Sequence, residues 1–338
     1  MHTVGLIGCG YWGPNILRVL HKNSGCKVKW VCDLNEEKLA RMKKRYPNVR
    51  STQRSEEILE DPETKVLLIA TPVNSHFSLA KECLMRGKDV FVEKPFTASA
   101  QEAEILIDLA KNKDRILMVG HVFQYSPPVV KIKELISNGE LGRICFITSS
   151  RVNLGIHRKD VSVLWDLASH DLSIILFWLD DDPIRVSAVG RGYILPDLPD
   201  VAFLNLSFSS GIIANIEVSW LAPTKLRRTT IVGSKKMLIY DDMANLEKIK
   251  VFDKGVEFKN PETFGEFQLS YRTGEITSPI LENTEPLQVE LRHFLDCVET
   301  RMKPKTDGMS GLRVIKILEL AERSLQNGGE QIEGWKNG

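Results

Sequence analysis

The sequence predicts an α/β protein of two domains, an N-terminal half built on a parallel sheet and a C-terminal α+β half with a large, mostly antiparallel sheet. Three observations carry that expectation. Apolar strand-like runs alternate with helical runs from Val4 to about Val119, the pattern of a parallel sheet covered by helices on both faces. Beyond Gly120 the alternation gives way to period-two patterning across a tight turn, which marks an antiparallel hairpin with one buried face. The 338 residues exceed the roughly 100–200 of a typical domain. The expected domains are 1–120 and 121–338, with the last helices able to pack back on the first.

Composition narrows the function classes. Hydrophobic content of 43% and charged content of 26% are those of a soluble globular chain. A formal net charge of +1 gives no electrostatic case for a nucleic acid or a membrane surface. The apolar runs are short and interrupted, and the N-terminus enters a strand at once without the look of a signal peptide. Six cysteines lie scattered with no CxxC and no metal-ligand spacing. They read as reduced thiols of a cytoplasmic protein that holds no metal.

In chain order, Val4-Gly5-Leu6-Ile7 reads as a strand, Gly8-Cys9-Gly10-Tyr11-Trp12-Gly13 as a turn, and 14–21 as a helix. This is GxGxxG in its strand–turn–helix context. Gly8 allows the tight turn, Gly10 the approach of a pyrophosphate and Gly13 close helix–strand packing, while the helix N-terminus offers N–H groups and a positive dipole end. Tyr11 and Trp12, inside the turn, join the cofactor-binding candidates. A second strand, 28–32, ends in Asp33. An acid there accepts bonds from ribose hydroxyls and repels a 2′-phosphate, so NAD is favoured over NADP. Asp33 is equally placed to cap the expected helix 36–45.

A strand at 65–70 ends at Thr71-Pro72-Val73-Asn74-Ser75-His76, before a helix at 75–86. A strand at 89–92 then runs into Glu93-Lys94-Pro95, where Pro95 must end it. A helix at 99–111 and a strand at 116–119 complete the half. Ligands of open α/β sheets lie at the carboxyl ends of the strands. Thr71, Asn74 and His76 are therefore candidates for the nicotinamide half of NAD, with Glu93 and Lys94 beside them. A solvated Glu-Lys pair at a strand end and an ordinary helix-start histidine are the plainer alternatives.

In the C-terminal half, a helix is expected to 137 and a strand over 143–153. Residues 202–208 and 212–220 form the hairpin, with further strands near 227–232, 236–240 and 248–252. Helices are expected over 286–300 and 309–326, and a long loop over 261–285. The most informative stretch is Trp165-Asp166-Leu167-Ala168-Ser169-His170-Asp171. Apolar residues recur at helical spacing from 165 to 179, and Asp166 and His170 stand at i and i+4 on one face. Burying such a pair in an apolar helix costs free energy unless the two are bonded or serve a purpose. A capping aspartate bonded to a core histidine is the structural alternative.

The glycine turn, Ala70-Thr71-Pro72 with His76, Glu93-Lys94-Pro95 and the Asp166-x-x-x-His170 helix, in that order, resemble the Gfo/Idh/MocA dehydrogenases over essentially the whole chain. The resemblance implies a Rossmann domain followed by a mostly antiparallel α/β domain. It further implies NAD(P) bound at the sheet edge and oxidation or reduction of a sugar or cyclitol at a carbinol carbon. Carried over by position, Lys94 matches the lysine of the family's EKP motif, and Asp166 and His170 match its acid and histidine. His170 is then the expected base, with Lys94 as its electrostatic partner and Asp166 orienting the imidazole, although Lys94 and His170 can exchange roles. The run from Gly10 to Asn15 and that from Arg151 to Gly155 through Trp165 to Asp171 resemble most the branch acting on nucleotide-linked N-acetyl sugars, at the 3-hydroxyl of UDP-N-acetylglucosamine or its uronate. Val163-Leu164-Trp165 replace the glycine-rich approach common in the family, which alters the pocket wall.

Asn153 and Arg158 join Lys94, Asp166 and His170 as substrate-binding candidates, and His157, Lys159, Arg227 and Arg228 are further positions for a diphosphate. The resemblance also favours a homo-oligomer, a dimer or tetramer formed through the open sheet face. Competing readings are a dehydrogenase of a free sugar or inositol, a 3-ketosugar reductase, a glycosidase using NAD transiently, and a non-catalytic NAD-binding regulator.

Overall fold

The computed structural model describes residues 1–155, 157, 161–259 and 268–334. Six strands open the chain: β1 (His2–Ile7), β2 (Cys26–Cys32), β3 (Arg50–Thr52), β4 (Val66–Ile69), β5 (Asp89–Glu93) and β6 (Leu117–Gly120). They form one sheet in the order β3-β2-β1-β4-β5-β6, every pair parallel. Helices α1 (Gly13–Lys22), α2 (Glu36–Arg45), α3 (Ser55–Glu60), α4 (His76–Met85) and α5 (Ala100–Asn112) alternate with them. β4 and β5 are buried at every residue, because central strands with helices on both faces read as unbroken apolar runs. Local chemistry fixes the helix starts. The Asn35 side chain accepts the Lys38 N–H at 3.1 Å, and Ser99 Oγ accepts the Glu102 N–H at 3.2 Å. The edge pieces β3 and α3 were not expected from sequence; at 3 and 6 residues they are too short for a periodic signal.

The rest of the chain supplies α6 (Pro127–Ser137), β7 (Ile144–Val152), α7 (Ser169–Leu179), β8 (Pro183–Arg191), β9 (Val201–Phe208), β10 (Ile213–Ser219), β11 (Leu226–Gly233), β12 (Met237–Asp241), β13 (Ile249–Lys259), β14 (Gln268–Thr277), α8 (Pro286–Thr300), α9 (Gly308–Gln326) and β15 (Ile332–Glu333). Nine strands pair in the order β14-β13-β12-β11-β7-β10-β9-β8-β15. Only β7 and β10 run parallel, and all other pairings are antiparallel. The expected hairpin is β9–β10. Alternation is visible in β9, where Ala202, Leu204, Leu206 and Phe208 are buried.

The loop expected over 261–285 is corrected in part, because β14 occupies Gln268–Thr277 and pairs with β13 from Lys259↔Gln268 to Val251↔Thr277. Its Tyr271 and Ile276 are 75% and 58% exposed. An edge strand that buries no face carries no alternation, so pairing alone defines it.

Two compact units result, Met1–Ser126 with Thr284–Lys316, and Pro127–Asn283 with Ile317–Gly338. Helix α8 thus completes the core of the first unit. Leu287, Leu291, Phe294, Leu295 and Val298 join the cluster formed by β1, β2, β4, α1 and α2. Phe294 is fully buried, and its ring lies 5.6 Å from that of Phe91 on β5. Phe294→Ala is expected to lower the unfolding free energy by about 3–5 kcal/mol, read from the urea midpoint at unchanged slope.

Candidate active site

The glycine turn joins β1 to α1. Gly8 adopts φ +101°, a left-handed conformation open to glycine, and a Cβ on Gly13 would overlap the Gly8 carbonyl oxygen. A Cβ on Gly10 would meet nothing within 4 Å, so the loop is open above that residue. Helix α1 begins with Pro14 in its first turn, has no side-chain cap and carries no acid in that turn. Its N–H groups and dipole are left to an anionic ligand. At the end of β2, Asp33 Oδ2 accepts the Cys9 N–H at 2.7 Å and Oδ1 accepts the Asn35 N–H at 2.8 Å. The acid therefore ties the glycine turn to the second strand, while the cap of α2 expected of Asp33 belongs to Asn35, two residues on, because only its side chain reaches the Lys38 N–H. Open space over Gly10, an uncapped helix start and an acid at the tip of β2 fit a dinucleotide. Tyr11 is 83% exposed beside the Trp12 ring, at 5.6 Å. Both line a cleft of about 340 Å³ with Asn15, Arg18, Val122 and Phe123. Arg18 forks onto Glu285 at its rim, a contact across 267 positions that no local pattern announces.

The loops after β4 and β5 meet through His76. This residue is buried, with Nδ1 2.8 Å from the Pro95 carbonyl and Nε2 2.8 Å from that of Thr71. The ring lies between the two loops and, with its pKa held down by burial against those backbone bonds, has one N–H to donate to one carbonyl or the other. Thr71 Oγ1 accepts the Ser75 hydroxyl at 2.7 Å, and Asn74 stands exposed on the short 3₁₀ turn Val73–Ser75. Lys94 is half-buried just beyond β5, and its bond to Pro95 is cis. Glu93 turns inward, 7% exposed, and its Oε2 accepts the Lys94 N–H at 3.2 Å. Burial raises the Glu93 pKa to about 7 against the opposing pull of the Lys94 charge. His121, one residue past β6, is held down to about 4 by burial and by Lys94.

In the second unit, Asp166 lies in a π turn, Leu164–Ala168, that runs directly into α7. Such widened turns concentrate at functional sites. Asp166 N–H donates to the Ser162 carbonyl at 3.1 Å, and Trp220 Nε1 donates to Asp166 Oδ2 at 3.3 Å. Trp220, at the end of β10, also faces the His157 ring at 5.5 Å. His170 is half-buried in the first turn of α7. Its neighbour Asp171 anchors that turn, accepting Arg151 Nε at 2.5 Å and Ser149 Oγ at 2.8 Å from β7. Trp220 and the Arg151–Asp171 pair were not singled out from sequence. The tryptophan closing an alternating strand and the arginine inside β7 were the available signals. Asn153 follows β7 and its N–H donates to the Ser219 carbonyl at 3.1 Å. Arg158 and Lys159 lie outside the described residues. Arg227 and Arg228 pair with Asp242 and Asp241 at 3.2 and 3.1 Å, so each positive charge already faces an acid. Among the described residues, no group of three His, Cys, Asp or Glu is arranged to hold a metal ion, and no helix is long and apolar enough to cross a membrane.

Family comparison agrees with this architecture. The model of an oxidoreductase family with an NAD-binding Rossmann fold matches residues 2–121, and that of the GFO/IDH/MocA C-terminal domain matches 129–239. The chain belongs to the Gfo/Idh/MocA oxidoreductase family, and its first unit carries the NAD-binding Rossmann domain. UDP-N-acetylglucosamine 3-dehydrogenase of Acidithiobacillus ferrooxidans is 25% identical over 75% of this chain and 76% of its own. A solved structure of that enzyme, GnnA, superposes with a TM-score of 0.80 at 22% identity, covering 97% and 99% of the two chains. Myo-inositol 2-dehydrogenase of Thermotoga maritima is 23% identical over 96% of each chain. GenD2 from gentamicin A biosynthesis, solved in complex with NAD, superposes with a TM-score of 0.83 at 22% identity over 99% of this chain and 97% of that one.

If Asp33 meets the ribose hydroxyls as the sequence suggests, Asp33→Ala is expected to lower the preference for NAD over NADP by about tenfold, the scale of a charged hydrogen bond. Titration of both reduced cofactors by fluorescence checks it.

Proposed function

We propose that the protein is an NAD-dependent dehydrogenase that oxidises a sugar hydroxyl, the 3-hydroxyl of UDP-N-acetylglucosamine or a related UDP-N-acetyl sugar. The observation that carries the reading is the position of Lys94 at the carboxyl end of β5, two strands from the glycine turn in the order β1-β4-β5. Ligands of open parallel sheets lie along that edge. NAD, when bound, supplies the hydride acceptor. Tyr11, Trp12, Thr71 and Asn74 stand on the loops of the same edge, Glu93 ends β5, and all five are assigned to cofactor binding with Gly8, Gly10, Gly13, Asp33 and Lys94. His76 contributes from its place between two of those loops.

In this reading His170 takes the hydroxyl proton, Asp166 orients the imidazole, and the Lys94 ammonium donates a hydrogen bond to the substrate oxygen as it becomes negative. Asn153 and Arg158 are assigned to the substrate. The Acidithiobacillus relative supports the nucleotide sugar. The full-length match to the Thermotoga enzyme supports a second reading, oxidation of a free inositol.

The protein is further proposed to act in the cytoplasm as a homo-oligomer. The nine-stranded sheet turns Phe203, Ile213 and Val189 outward at 41%, 56% and 50% exposure, interleaved with Asn205, Asn215 and Glu217, a mixed face that a second copy can cover.

The test is turnover with NAD⁺, followed as absorbance of the reduced cofactor. UDP-N-acetylglucosamine is expected to be oxidised and myo-inositol and glucose not; the reverse result would replace the first reading by the second. Lys94→Ala and His170→Ala are each expected to lower kcat by about 10²–10⁴, the latter with NAD affinity little changed. Full turnover by both variants would remove the catalytic assignment.

A further inference from the structure

Within the first unit, near Lys94, lie three buried ionisable side chains, of which Glu93 has been given a place in cofactor binding and the other two no role at all. Glu93, His121 and Glu290 are 7%, 2% and 0% exposed. They come from three elements: the end of β5, the residue after β6, and the first half of α8. Both ring nitrogens of His121 and both carboxyl oxygens of Glu290 are without a hydrogen-bond partner among the described residues. Each such atom costs about 1–3 kcal/mol when buried, so the group needs a reason to be there. Packing does not supply one, because Glu290 shares a buried helix face with Leu287, Leu291 and Phe294, where a leucine would serve better. The backbone has also made room for the inward carboxyl of Glu93. Gly120 is its partner in the β5–β6 register, and a Cβ there would stand 3.0 Å from Glu93 Oε2.

Electrostatics tie the three together. Burial lifts both carboxyls, and the charge of Glu93 lifts Glu290 further. His121 is kept neutral by burial and by Lys94. The other titratable groups around them are Tyr125, whose pKa burial raises, and Lys305, lowered by burial to about 8. His293 on α8 stacks on Tyr125 and is lowered by burial and then by Lys305. Two carboxyls that feel one another in a dry interior do not both ionise near neutrality; they titrate as a pair.

We propose that Glu93 and Glu290 titrate as one charge-coupled pair that keeps a single proton near neutrality and, with a neutral His121, form an internal buffer that sets the protonation of Lys94. Near neutrality the pair carries one negative charge beside the ammonium. As the pH rises the pair gives up its second proton, and the added negative charge holds Lys94 protonated further into the alkaline range. Glu290 and His121 act through Lys94 and are positioning residues. The role rests on the reading of Lys94 as the group that meets the substrate hydroxyl.

The full-length protein is methylated at its lysines with ¹³C-formaldehyde, and the Lys94 signal, assigned by its loss in Lys94→Arg, is followed by NMR against pH. In Glu290→Gln and Glu290→Leu the Lys94 midpoint is expected to fall by about one pH unit, with Glu290→Asp returning part of the shift. The leucine variant is expected to melt no lower than the parent. Infrared spectra near neutral pH are expected to show a protonated carboxyl signal that Glu290→Gln reduces, leaving the Glu93 part. An unchanged Lys94 midpoint in both the Gln and Leu variants, or no such signal in the parent, overturns the proposal. The pH profile of kcat separates the two claims. A shifted midpoint with an unmoved alkaline limb keeps the buffer and removes Lys94 from the reaction.

Discussion

A parallel sheet returns every strand to the same edge, and the first unit depends on that constraint. β1, β4, β5 and β6 are neighbours in one direction, so the glycine turn, the Thr71 loop, Lys94 and His121 all follow strand ends on one line. Burial on both faces holds the strands rigid. Above them, the His76 ring lies between two of the loops, and Asp33 joins the glycine turn to β2. The edge is therefore braced by polar contacts among loops as well as by the apolar core beneath.

The second unit places its polar groups by a different device. The Arg151–Asp171 pair, nearly dry at 5% and 4% side-chain exposure, fixes the first turn of α7 against β7. Ion pairs this deep gain little net stability once desolvation is counted, but their geometry is demanding. The turn that carries His170 is therefore set by the strand rather than by its own sequence.

Much of this was legible in the residues. GxGxxG between a strand and a helix, Asp33 at the next strand end, and Pro95 ending a buried strand each have a local cause, and each was read from a few neighbouring positions. Helix α8 was placed at its observed bounds because Pro286 opens it and apolar residues recur at helical spacing. What escaped was defined by distant partners. β14 exists through its pairing with β13, and Arg18 finds Glu285 across most of the chain. Glu290 was not singled out in the amphipathic helix expected over 286–300, and only the fold shows it buried there and coupled to Glu93. The candidate roles of Lys94, Asp166 and His170 came from family resemblance, since a Glu-Lys-Pro triplet or an aspartate four residues before a histidine has ordinary structural explanations.

The π turn at Leu164–Ala168 has a bearing on how such a protein diverges. An ordinary helix advances about 100° per residue, and a widened turn amounts to one residue more than the helix needs. Deleting a single position there would restore regular winding and swing the segment that carries Asp166 by roughly a third of a turn, while His170 and everything after it kept their phase. Length variation at this one spot can therefore re-aim one side chain of the pair without disturbing the other, and the core of α7 stays intact.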